Sequence, residues 1–63
     1  MQNIEILDYL KAVGKPVYFR TIANWFPGEA EEAELFRRLR LLVEGGFVRR
    51  TERGMFEVVR HVS

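Results

Sequence analysis

Sixty-three residues, a net charge of +1 and no cysteine set narrow bounds. A chain this short buries only about 60% of the surface it exposes when unfolded, so its stability rests on regular packing, a partner or both. Disulfides are excluded, and one histidine, His61, argues against a dedicated transition-metal site; no metal or cofactor is expected. With 48% apolar and 13% aromatic residues the chain is too hydrophobic for a disordered tail. No apolar run approaches the ~20 residues of a membrane span, and Met1 to Glu5 carry no basic or apolar leader. The expected arrangement is one domain over residues 1–63, with no membrane contact and a cytoplasmic address.

The first predicted element is a helix from Asn3 to Val13. Asn3 suits an N-cap, Glu5 and Asp8 suit the positive end of the helix dipole, and Ile6, Leu7, Leu10 and Val13 share one face. Gly14 and Pro16 end it. Val17-Tyr18 follows as a short extended piece. A second helix is predicted from Phe19 to Trp25, with Ile22, Ala23 and Phe26 as its apolar side, stopped by Phe26-Pro27-Gly28. A third helix is predicted from Glu29 or Ala30 to Glu44. Its first turn holds Glu29, Glu31, Glu32 and Glu34. Leu35, Phe36, Leu39, Leu42 and Val43 form its apolar face, while Ala30, Glu34, Arg37 and Leu41 point the other way. Gly45-Gly46 closes it. The tail reads as a hairpin, Phe47 to Thr51 and Met55 to Val62, joined through Glu52-Arg53-Gly54, with Phe56 and Val58 inward and Glu57 outward. The expected core is Leu10, Ile22, Phe36, Leu39, Leu42, Val48 and Phe56.

Charge is unevenly spread. Residues 29–46 hold three Arg and five Glu, whereas residues 47–63 hold four Arg and two Glu. Eight of the ten basic residues are Arg, whose planar guanidinium suits phosphates and base edges.

The order helix, short strand, helix, turn, helix, hairpin resembles the winged-helix branch of the helix-turn-helix proteins. The likeness is carried by Ile6-Leu7-x-x-Leu10 with Gly14-Lys15-Pro16-Val17, by Thr21-Ile22-Ala23-x-x-Phe26, by Phe36-x-x-Leu39-x-x-Leu42-x-x-x-Gly46-Phe47-Val48, and by Arg49 to Val58 as the wing. It implies an α+β winged helix: three helices with a small antiparallel sheet and a C-terminal β-hairpin wing. It further implies a nucleic-acid-binding protein without enzyme activity, acting on duplex DNA as a small transcriptional regulator, in the form of a homodimer. The alternative is a winged-helix interaction module that joins a larger replication or transcription assembly. RNA binding is a weaker third option. Two features depart from the family pattern. Tyr18 stands where the family often has Ser or Thr, which removes the capping box of the second helix. The acidic first turn of the third helix opposes phosphates, which moves any groove contact further along that helix.

Candidate nucleic-acid-binding residues are Arg37, Arg38, Arg49, Arg50, Arg53, Arg20, Thr21 and Lys15. Arg37, outward and past the acidic turn, is the candidate for a base-edge contact. Arg38 is as readily paired with Glu34, and Arg40 is better read as the partner of Glu44. Arg49, Arg50 and Arg53 outnumber Glu52 beyond what edge protection needs. Arg20 and Thr21 open the second helix, and Lys15 sits in the preceding turn. Trp25 is read as rim packing. Leu41, Met55 and Val59 are candidate interface residues. No Ser, His and Asp set builds a nucleophile, since the one Ser is Ser63.

Overall fold

The computed structural model describes residues 2–26 and 32–59. Within them lie three helices and a hairpin: α1 (Asn3–Val13), α2 (Phe19–Trp25), α3 (Glu32–Glu44), β1 (Val48–Arg50) and β2 (Phe56–Val58). This is a small α+β fold. The predicted start of the third helix at Glu29 or Ala30, the stop at Pro27-Gly28, and His61 and Val62 lie outside the described residues.

The local signals set most boundaries. Gln2, not Asn3, is the N-cap of α1, and the Glu5 carboxylate accepts from the Gln2 backbone N–H at 2.9 Å. Asn3 is thereby the first helical residue, and its Oδ1 accepts from Arg38 Nη1 at 3.0 Å. Gly14 ends α1 at φ 70, and its N–H donates to the Leu10 carbonyl at 3.0 Å. Tyr18 caps α2 with extended backbone and no side-chain hydrogen bond, which leaves the first turn of α2 without a hydroxyl cap. At the end of α3 the Gly46 N–H donates to Val43 and the Phe47 N–H to Leu42, with Gly46 at φ 82. That reciprocal pair satisfies two orphan carbonyls and turns the chain into the hairpin.

The two strands pair antiparallel, with Val48 opposite Val58, Arg49 opposite Glu57 and Arg50 opposite Phe56. They are shorter than predicted. Single hydrogen bonds nonetheless carry the pairing outward, from Thr51 N–H to Met55 O at 2.8 Å and from Val59 N–H to Phe47 O at 3.0 Å. The connection turns on Gly54 at φ 77, and Thr51 Oγ1 accepts from the Met55 N–H at 3.1 Å. Val17 joins Phe56 in one antiparallel bridge, with hydrogen bonds of 2.9 and 2.8 Å. Tyr18 takes no part in it. A single residue thus fastens the α1–α2 connection to the hairpin.

The core is one cluster of Ile6, Leu10, Val17, Ile22, Leu35, Leu39, Leu42, Val48 and Phe56. Every element supplies at least one of these side chains, each worth about 1.5–3 kcal/mol when fully buried. Phe36 is a correction, since it is 44% exposed. Leu35, Leu39 and Leu42 define the buried stripe of α3, and a residue one step after Leu35 falls at the stripe's border. Phe36 and Val43 border it toward α2 and the hairpin, while Glu34 and Arg38 border it toward α1. Glu57 is half-buried rather than fully outward.

Candidate nucleic-acid interface

The candidate arginines fall on α2, α3 and the hairpin. The fold divides them. On α3, Arg37 donates to both carboxylate oxygens of Glu34, at 3.1 Å from Nε and 3.0 Å from Nη2. Arg38 lies on the other side of the same carboxylate, with Nε 3.0 Å from Oε1 in an ion pair rather than an aligned hydrogen bond. Its Nη1 reaches Asn3 on α1, so Arg38 acts as a strut between α1 and α3. Arg40 pairs with Glu44 at 3.4 Å. Hydrogen bonding and attraction from Arg37, joined by the charge of Arg38, hold the Glu34 carboxyl below its ordinary value; desolvation opposes this. The same contact raises Arg37.

The acidic start of α3 is therefore partly neutralised. Glu34 lies between Arg37 and Arg38, and Glu32 is bonded by Arg20 from the first turn of α2. Both pairs are largely exposed, where solvent screening leaves an ion pair little net contribution to stability. Solvent and a polyanion can therefore compete for Arg20 and Arg37 at small cost. Thr21 is exposed, and its N–H is used in the first turn of α2, bonded to the Tyr18 carbonyl at 3.0 Å.

On the hairpin Arg49, Arg50 and Arg53 line one groove together, but their immediate partners differ. Successive strand residues point to opposite faces. Arg49 stands opposite Glu57 and is bonded to it, so its charge is compensated. Arg50 shares the face of Phe56, and its guanidinium carbon lies 5.7 Å from that ring's centroid. This geometry permits a cation–π contact. Arg53 is exposed at the turn. Neither Arg50 nor Arg53 has a carboxylate partner among the described residues. Lys15 is exposed and lines a shallow groove with Gly14, Arg49, Glu57, Val58 and Val59, on the face away from Arg50.

A second groove, of about 290 Å³, runs between α3 and the hairpin. Phe36, Val43 and Phe56 form its apolar floor, and Arg40 and Arg50 are its charged members. Sequence reasoning placed Phe36 in the core and gave Arg40 to Glu44, so neither was a candidate for this surface. The signal was available in part, because both fall one step outside the Leu35-Leu39-Leu42 stripe. What could not be read was that the hairpin comes to lie beside that flank.

The remaining candidates are scattered. Leu41 is 48% exposed on α3. Met55 is half-buried in a groove at the hairpin turn with Pro16 and Arg53, whereas Val59 lines the groove beside Lys15. Trp25 is 62% exposed and stacks on Tyr9 with centroids 5.1 Å apart, a rim position. No described helix is long and apolar enough to cross a membrane. Comparison of the chain with models of known families, with curated proteins and with solved structures returned no match.

Proposed function

We propose that this chain is a winged-helix domain that binds duplex DNA without catalysing a reaction, in the manner of a small transcriptional regulator. The order of α1, the Val17 bridge, α2, α3 and the hairpin supports the winged-helix reading. One observation carries the functional reading. The arginines of α2 and α3 and Arg49 each have a carboxylate partner, whereas Arg50 and Arg53 have none among the described residues. Among the described guanidiniums, those without a carboxylate partner thus lie on the hairpin, Arg50 beside the α3 groove and Arg53 with it in the groove at the turn. Guanidiniums in that state are free to bind phosphate.

The test is a salt series with labelled random-sequence duplex. The parent protein should bind at low ionic strength, with log affinity falling linearly in log salt. Arg50→Ala combined with Arg53→Ala should weaken binding to all sequences alike and lower the slope by about 0.9 per lost phosphate contact. An unchanged slope in the double variant would remove the hairpin from the interface.

A second reading has its own support. Ile4, Trp25, Leu41 and Phe47 are exposed large apolar side chains on a small molecule, which suits a module that packs against other proteins. Absence of any duplex binding by the parent at low salt would transfer the conclusion to that reading.

A further inference from the structure

Phe36 and Leu41 are the large apolar side chains of α3 that stand half in water, and Phe36 is the one that lies beside the hairpin. Its ring meets Phe19 edge-on, with centroids 5.8 Å apart at 72°. Phe19 is itself packed against the core, so one side of the Phe36 ring is fixed. The other side opens to the groove that contains Arg40 and Arg50. The ring is therefore presented in a set orientation, beside a groove whose charged lining residues, Arg40 and Arg50, are both cationic.

Phenylalanine has neither donor nor acceptor. On a major-groove base edge, every distinguishing feature except one is a hydrogen-bonding group; the exception is the C5-methyl group of thymine. An apolar side chain on such a surface gains nothing from phosphates and has one base feature to gain from. The acidic neighbours point the same way. Glu32 and Glu34 disfavour a phosphate near the start of α3, even when paired with Arg20 and Arg37, but do not repel an uncharged methyl group.

We propose that Phe36 is a specificity-determining residue that reads thymine methyl groups in the major groove, while Arg40 and Arg50 on either side of it hold the backbone. This rests on the DNA-binding reading above, and the experiment separates the two. Equilibrium binding is measured at one low ionic strength to two duplexes of about 20 base pairs, alternating dA·dT and alternating dA·dU. Uracil lacks only the methyl group. The parent protein should prefer the thymine duplex by at least about fourfold, the worth of one buried methyl-sized group. Phe36→Ala should lose that preference and keep its salt slope, because no phosphate contact is removed. Phe36→Leu should retain part of the preference. Circular dichroism checks that the variants are folded; if Phe36→Ala is not, the parent comparison and Phe36→Leu decide. Measurable but equal binding of both duplexes by the parent overturns the proposal and leaves DNA binding intact. A preference that survives in folded Phe36→Ala overturns it too, since the methyl group is then read elsewhere. No binding to either duplex fails the DNA-binding reading and this proposal with it.

Discussion

Arg49 and Arg50 are neighbours in sequence with identical chemistry, and the pleat gives them different surroundings. Arg49 is held by Glu57, while Arg50 lies over Phe56 with no described carboxylate partner. Glu34 shows the opposite situation, one carboxylate between two guanidiniums. Its carboxyl is held below the ordinary value, chiefly by the Arg37 hydrogen bond, whereas the unfolded chain restores that value. The pair's contribution is therefore full above the unfolded pKa and is lost as pH falls through the lower folded one. Melting temperatures measured between about pH 7 and pH 3 should place Glu34→Gln below the parent at neutral pH. The gap should close on acidification. A gap that stays constant with pH would show that the carboxylate contributes through packing alone.

At the scale of elements, α3 carries the most information, because one helix supplies three leucines to the core and lines the candidate interface. Leu39 is fully buried at the centre of its stripe. Leu39→Ala removes its transfer energy and leaves a cavity, at a cost of about 2–5 kcal/mol. Small domains have roughly that much stability in total, so the variant should be largely unfolded at room temperature by circular dichroism. A variant melting with the parent would mean that the stripe has been wrongly placed. The hairpin contributes differently. It supplies Val48 and Phe56 to the core and holds Val17 by one bridge, so it closes the cluster while its outer residues remain available.

At the scale of the whole molecule, nine side chains form the core among the described residues, and several large apolar residues remain in water. Leu41, Met55 and Val59 were proposed as an interface. Leu41 is exposed as that requires, whereas Met55 and Val59 are half-buried in separate grooves. A dimer that covers Leu41 remains the expected state, because one small module with few uncompensated cations binds DNA weakly alone. Sedimentation at micromolar concentrations should show a dimer, and Leu41→Glu should convert it to monomer. A monomer at every concentration would mean that DNA affinity must come from a larger assembly.

The sequence by itself determined the helix periods, the stop at Gly14 to Pro16, the limits of α2 from Phe19 to Trp25, and the turn at Gly54. These depend on side-chain spacing and on backbone conformations only certain residues adopt, which are local properties. It also offered the i to i+4 pairs of Arg38 with Glu34 and Arg40 with Glu44, because helical geometry fixes those distances, but it read Arg37 as an outward contact rather than as a partner of Glu34. The Arg49–Glu57 pair depends on strand register, the Arg20–Glu32 pair on how α2 meets α3, and the exposure of Phe36 on which flank of α3 the hairpin approaches. Contacts between residues far apart in the chain are set by packing of all the elements at once. Only the tertiary structure therefore decided that Arg20 and Arg49 are compensated and which arginines face the groove.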